Sequence, residues 1–196
     1  MLRGERQTTI RRTLAPQLIA FARRSSLASL SRAARRQANI VMSSGNTSTF
    51  QQLDAEAQQL IREAIKAREF SYSPYSGFKV GAAVRCADGT LRSGCNVENV
   101  SFGMSICAER CAIVKAVSEN HLNFVALSVV AEKIEGRLTT PCGACRQMLR
   151  EFGDFPVYVT CPDQSQVLLT SCSDLLPHAF QPSDRLFSSE SCNSAK

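Results

Sequence analysis

The succession of elements predicts an α/β fold, with a central sheet covered by helices on both faces. Three observations carry that prediction. Leu53, Ala57, Leu60, Ile61, Ala64 and Ile65 recur at helical spacing, so residues 51–69 form an amphipathic helix. Two strand-like runs, 78–85 and 90–97, flank Ala87-Asp88-Gly89 and make a hairpin. Residues 124–131 are a rich apolar run, as expected of a buried strand. The remaining elements fill the gaps in order. Residues 72–77 contain Pro74 and Gly77 and form a turn, and 99–103 form a loop. Apolar residues at 106, 113, 114 and 117 make 106–117 a helix, and 141–152 a second, shorter one. Strands over 157–160 and 166–170 are joined by the turn Pro162-Asp163, and 173–176 make one helical turn. No internal repeat interrupts this order.

A chain of 196 residues, 44% hydrophobic, has enough apolar material for one domain with a proper core. No apolar run is long enough to span a membrane. The net charge of +6 is unevenly distributed. Residues 1–45 hold nine arginines, no lysine and one acid, Glu5, a net of +8, which leaves −2 for the rest. A slightly acidic core is not a nucleic-acid surface, which needs a basic face. The leader is Arg-rich, Ser-rich and nearly free of acids. Leu14, Leu18, Ile19 and Phe21 make an apolar face between Arg11-Arg12 and Arg23-Arg24, the composition of a mitochondrial transit peptide. The competing reading is a disordered or untranslated extension, with Met42 as an alternative start. Residues 43–49 read as a flexible linker, so the folded domain starts near Phe50. Residues 188–196 are a Ser-rich flexible tail.

Nine cysteines are many for this length, but the count is odd and arginines interrupt any secretory apolar stretch. A reducing, cytoplasmic setting for the core fits them better than a disulfide framework. Cys86, Cys95, Cys111, Cys161 and Cys172 read as core or ordinary thiols, and Cys192 as exposed in the tail.

The other three cysteines lie in Cys107-Ala108-Glu109-Arg110 and Pro141-Cys142-Gly143-Ala144-Cys145. Both clusters fall at predicted helix starts. Ser105 is positioned to cap the first helix, with Cys107 in its first turn. Thr140 is positioned to cap the second, with Pro141 at the favoured first position. Cys142 and Cys145, three apart, then share a helix face. Helix N-termini favour thiolate, so two of them converging would offer three sulfurs to one zinc ion. Structural zinc sites close with four protein ligands, whereas catalytic ones keep three and leave a position for water. Glu109 can reach the volume in front of such an ion and move a proton there. Arg110 and Arg146 follow the two clusters and are suited to donate hydrogen bonds to thiolates, or simply to solvate helix faces. Three alternatives stay open at this point: a redox Cys-x-x-Cys pair, a closed four-cysteine site with Cys111, and a non-catalytic zinc module. His121 and His178 lack ligand spacing to either cluster.

Taken together, Cys107-Ala108-Glu109 and Pro141-Cys142-Gly143-Ala144-Cys145 resemble the signature of the zinc deaminases. Cysteine as first ligand resembles the small cytidine deaminases of pyrimidine salvage rather than the polynucleotide-editing or deoxycytidylate enzymes. Ser73-Pro74-Tyr75-Ser76, Phe78 to Ala83, Gly94 to Asn99 and Arg146-Gln147 extend the likeness, which covers about residues 50–187. The resemblance implies a three-layer α/β/α sandwich with a five-stranded mixed sheet, assembled as a homotetramer with composite active sites. It implies one Zn2+ per subunit on Cys107, Cys142 and Cys145, with Glu109 shuttling protons. It further implies that Asn96 and Glu98 bind ribose hydroxyls, that Phe78 stacks on the base, and that Ala108 belongs to the substrate site. Phe180 would complete a neighbouring subunit's pocket. Phe102 stands where close relatives often carry tyrosine, so any hydrogen bond from that hydroxyl is missing. The implied substrate is a nucleoside, cytidine or deoxycytidine, with no nucleic acid and no membrane as partner. Another aminated heterocycle as substrate and a nucleic-acid-editing role are the competing functional readings.

Overall fold

The computed structural model describes residues 47–180. The expectations for the leader, Met42, Cys192 and the tail lie outside those residues. The first helix, α1 (Ala55–Arg68), begins four residues later than its apolar periodicity suggests. Asp54 sets the start, since its carboxylate accepts from Ala57 N at 2.7 Å and satisfies an end-group that the helix itself cannot. Phe50–Gln52 form a separate 3-10 turn.

The hairpin strands are β2 (Val80–Cys86) and β3 (Leu91–Cys95), paired antiparallel with Ala83 opposite Ser93. Gly89 takes φ +88° in their turn, a conformation that suits glycine. Helix α2 (Ala108–Ser118) follows, then β4 (Phe124–Ala131), which matches its apolar run residue for residue. Next come α3 (Gly143–Glu151), β5 (Pro156–Thr160), β6 (Val167–Ser171) and the single turn α4 (Cys172–Leu175).

Five of these pieces and one more form a mixed sheet. Its order is β1-β6-β5-β4-β2-β3, with β1 being Thr47–Ser48. The expected sheet had five strands and a linker over 43–49. The sixth strand is two polar residues pairing antiparallel with Leu168 and Val167. Backbone hydrogen bonds alone make that pairing, so no hydrophobic alternation announces it. Only β4 and β5 run parallel, and α3 lies between them in the chain, as a parallel crossover requires.

The sheet separates two cores. On one face α1 lays Ala57, Leu60, Ile61 and Ala64 on Ala83, Ala126, Val130 and Tyr158. On the other, Ala108, Ala112, Ile113 and Ala116 of α2 and Leu149 of α3 pack on Val84, Leu127, Val129, Val157 and Val159. This is the three-layer α/β/α arrangement. Fully buried side chains such as Leu60, Ile61 and Leu127 each contribute about 1.5–3 kcal/mol relative to exposure. Two glycines set how close the helices come. A Cβ on Gly81 would lie 2.1 Å from Ala64 O, and one on Gly94 would lie 2.6 Å from Ala112 N. Helices α1 and α2 therefore touch β2 and β3 through backbone.

Candidate active site

Both cysteine clusters do lie at helix starts, and each helix begins two residues later than expected. A 3-10 turn, Phe102–Met104, ends at Ser105, whose hydroxyl accepts from Asn99 N at 3.1 Å instead of capping α2. Ile106 then bridges to Val97 through paired backbone hydrogen bonds, and Cys107 itself is the N-cap, extended at φ −74°, ψ 155°. The second cluster repeats the geometry. Cys142, at φ −68°, ψ 167°, is the N-cap of α3, Pro141 lies outside the helix, and Thr140 Oγ1 accepts from Arg146 Nη2 at 2.8 Å. Neither cysteine makes a side-chain capping bond. Their sulfurs face each other 3.8 Å apart.

Cys145 in the first turn of α3 completes the group, and all three sulfurs lie within 4.8 Å of one another. The donor set fits zinc. Two thiolates bound tetrahedrally at about 2.3 Å stand about 3.8 Å apart, which is the separation found between Cys107 and Cys142. Cys111, the candidate fourth ligand, is not in the cluster. Its Cβ packs against Gly94 instead, so three sulfurs and no closing fourth protein ligand are brought together among the described residues.

The thiols share their protons unevenly. Cys107 is pulled down to about 5, first by the hydrogen bond from Cys145 and then, against its burial, by Arg110 and Cys142. Cys145 is raised by the same bond, because it holds the proton that Cys107 gives up. Arg110 Nη2 lies 3.6 Å from Cys107 Sγ and donates to Ser105 O at 3.3 Å, so it reaches this sulfur. Arg146 takes a different place. Its Nε donates to Pro141 O, Nη1 to Leu175 O and Nη2 to Thr140 Oγ1. It clamps the chain entering α3 to the end of α4 rather than donating to a sulfur.

Glu109 is the second residue of α2 and is 4% exposed. Burial pushes its carboxyl up, and the charge on Cys107 adds to that. A carboxyl whose hold on a proton is strengthened by burial beside a candidate metal site suits proton transfer.

Cys107, Cys142 and Glu109 line a cleft of about 490 Å³, with Cys145 buried behind them, within the size range of small-ligand sites. Phe78, Asn96, Glu98 and Phe102 line it together with Cys107, Glu109 and Cys142. Ala108 is fully buried and contributes no wall, and Phe180 is 76% exposed outside this cleft. Asn96 and Glu98 flank Val97, whose backbone is pinned between Tyr72 and Ile106. Period-two alternation puts the two polar side chains on one side of this extended segment. Tyr75, Ser76, Thr139 and Thr140 also line the cleft, although the sequence gives none of them a binding role and marks Thr140 only as a helix cap. The signal for Tyr75 and Ser76 was their presence beside Pro74 in a turn that precedes a strand. Nothing in the sequence pointed to a place in the cleft for either threonine.

A second group, Cys86, Asp88 and His121, has its ligand atoms equally close. Arg92 Nη2 lies 3.1 Å from His121 Nε2, and arginine only donates. The ring proton therefore sits on Nδ1, facing Asp88 at 3.3 Å. The nitrogen a cation needs already holds a proton, so this is a polar clasp between the hairpin and the end of α2.

Comparison with known proteins agrees with this geometry. The family model for the cytidine and deoxycytidylate deaminase zinc-binding region matches residues 54–161. A cytidine deaminase of Sporosarcina psychrophila is 47% identical over 137 residues, covering 69% of this chain and 98% of the relative. A probable cytidine deaminase of Dictyostelium discoideum is 43% identical, covering 69% of this chain and 90% of the relative. The crystal structure of cytidine deaminase from Burkholderia pseudomallei superposes with a TM-score of 0.60 at 45% identity, over 65% of this chain and all of that one. Cysteine N-caps, a buried glutamate and the sequence match converge on one assignment: the chain belongs to the cytidine and deoxycytidylate deaminase family.

Proposed function

We propose that the protein converts cytidine and deoxycytidine to their uridine counterparts, adding water and releasing ammonia. The observation that carries this reading is the three-sulfur cluster with Glu109 buried beside it, two of its sulfurs and Glu109 lining a ligand-sized cleft. Cys107, Cys142 and Cys145 would hold the zinc. The chemistry it supplies when bound is Lewis acidity that makes water a nucleophile near neutral pH.

The chain's own groups do the rest. Glu109 accepts a proton from the attacking water and delivers it to the ring nitrogen next to the amino-bearing carbon. It then helps protonate the departing amino group, so one carboxylate serves three positions in turn. Phe78 offers a face for the base, and Asn96 and Glu98 offer hydrogen bonds to sugar hydroxyls. Ala108 backs Glu109 and Cys107 from the core, and Arg110 offsets the negative charge of three thiolates.

The cleft also argues for a nucleoside over a nucleotide. Among the described residues its lining carries two acidic groups, Glu98 and Glu109, and no lysine or arginine. A substrate phosphate would meet negative charge without a cation to pair with.

Homotetramerisation is part of the same proposal. Phe180 supports it, being 76% exposed while its carbonyl accepts from Gln147 Nε2 at 2.6 Å. Val100, Phe102 and Met104 are likewise exposed near the cleft mouth. Light scattering on the purified protein tests the assembly. For the leader, the arginine-rich composition supports mitochondrial import, which N-terminal sequencing of protein recovered from fractionated cells would test.

The activity is tested by following the absorbance of cytidine with the full chain, with zinc quantified, beside Glu109→Gln. Turnover is expected to fall by about 10²–10⁴-fold in the variant with zinc retained. Near-normal turnover would remove Glu109 from the mechanism. A zinc-loaded parent inert toward cytidine would redirect the search to another aminated heterocycle.

A further inference from the structure

Asn96 and Glu98 are held by a second set of groups to which no role has been given. Asn96 Oδ1 accepts from Ser71 Oγ at 2.6 Å and from Val80 N at 2.8 Å, and Nδ2 donates to Phe78 O at 2.8 Å. A backbone N–H can only donate and a carbonyl can only accept, so the amide has one orientation. Both lone pairs of Oδ1 are used and one of the two Nδ2 protons is used. Asn96 therefore presents the cleft with a single donor and no acceptor.

Glu98 is the opposite. Its Oε2 accepts from Tyr75 N at 2.9 Å and Ser76 N at 3.2 Å, and Oε1 accepts from the Ser76 hydroxyl. Those bonds, led by Ser76, hold the carboxyl below its usual range. As a carboxylate it can only accept. The Ser76 oxygen in turn accepts from Phe78 N at 3.0 Å, which ties the same serine to the residue lining the base end. A donor and an acceptor, each locked, face one cleft from the same side of one strand-like segment. The group that satisfies both is a hydroxyl, which accepts from Asn96 and donates to Glu98.

We infer that Ser71 and Ser76, both on the segment joining α1 to β2, are positioning residues that lock this donor–acceptor pair for reading a substrate hydroxyl. The inference rests on the proposed nucleoside activity for its substrate. Among the described residues neither serine bonds to a sulfur, and each hydroxyl is engaged with Asn96 or Glu98, through which it acts. Phe102 carries no hydroxyl that would substitute for either.

The test compares the full-length zinc-loaded parent with Ser76→Ala, Ser71→Ala and Ser76→Thr on cytidine, 2′-deoxycytidine and 3′-deoxycytidine. Loss of a hydrogen bond to a charged group predicts a fall of about tenfold in kcat/KM on cytidine for Ser76→Ala, mostly in KM. A smaller, severalfold fall is expected for Ser71→Ala, whose partner is neutral. Against whichever deoxy analogue lacks the hydroxyl that is read, both penalties vanish. Ser76→Thr, which keeps the hydroxyl, recovers most of the loss. Equal penalties on all three substrates would mean a merely structural role and overturn the inference, as would no penalty at all. Calorimetric binding of uridine and its two deoxy analogues to the same proteins separates the two levels of the argument. A parent that binds with that hydroxyl dependence but does not deaminate leaves the positioning role standing and removes the proposed reaction. A parent that does neither removes both.

Discussion

At the metal end of the cleft every reactive group sits at a helix start, whereas at the hydroxyl end Asn96 and Glu98 sit on an extended segment after β3. The metal end is rigid for a reason that lies in the core. Helix α2 touches β3 backbone at Gly94, and α2 and α3 bury Ala108, Cys145 and Leu149 completely or nearly so. Cys107, Cys142 and Glu109 therefore inherit their positions from packed helices. The hydroxyl end has little such packing, since Tyr75 is 51% exposed and Phe102 75% exposed. Its precision comes from hydrogen bonds donated by Ser71, Tyr75 and Ser76. Where electrophilic chemistry is needed, hydrophobic packing places the groups. At the other end, hydrogen bonds from the segment before β2 fix Asn96 and Glu98 with little help from packing.

The largest expected effect breaks the metal end alone. Cys145→Ser replaces a fully buried sulfur by a poorer zinc ligand. Zinc content by mass spectrometry should fall to near zero and deamination should be lost. Uridine binding should persist within about tenfold, the size of effect one charged hydrogen bond has, because the hydroxyl end is built separately. Loss of binding in parallel with zinc would show the two ends to be one unit.

Next comes Gly94→Ala. Its added methyl would collide with Ala112 N at 2.6 Å and Cys111 Cβ at 2.7 Å, so α2 must shift. Overpacking of this kind costs about 1–3 kcal/mol, readable in urea unfolding. Because α2 carries Cys107 and Glu109, zinc affinity should drop with stability, while the Asn96 and Glu98 contacts to Ser71 and Ser76 remain. Unchanged stability would mean that the close approach is relaxed elsewhere.

The smallest effect is one of pH. Cys107 is held at about 5, chiefly by the Cys145 thiol, against about 8.5 for an ordinary thiol. A folded value below the unfolded one contributes stability that is present above about 8.5 and is lost as pH falls through about 5. Between those limits Cys107 should be the thiolate in zinc-stripped protein. Brief iodoacetamide treatment near neutral pH, read by peptide mass spectrometry, should label Cys107 ahead of Cys95 and Cys111. That preference should fade as pH falls through about 5. Even labelling of all three would mean that Cys107 is not singled out.

Local chemistry explains most of what could be read ahead of the structure. The buried strand β4 was legible because a run from Phe124 to Ala131 has no other way to satisfy its apolar side chains. The hairpin was legible from Asp88-Gly89, and the metal cluster from residue types that rarely recur together by chance. The caps were misread, since serine and threonine are the common N-cap residues and nothing local says that Cys107 and Cys142 take that place. The partners of Arg146 were not legible because a guanidinium has many acceptors to choose from, and its choice of Pro141, Thr140 and Leu175 depends on where α4 ends. β1 was missed because two polar residues joined by backbone bonds carry no pattern.

By itself, the sequence determined the elements, their order, and the identity of the groups that bear the chemistry, because periodicity and side-chain type are local properties. Tertiary structure decided which of those groups meet. The 3.8 Å between Cys107 and Cys142 spans 35 residues of chain, and Ser71 reaches Asn96 across 25. Such contacts depend on how helices seat on a sheet at Gly81 and Gly94, and that is settled by the packing of the whole core.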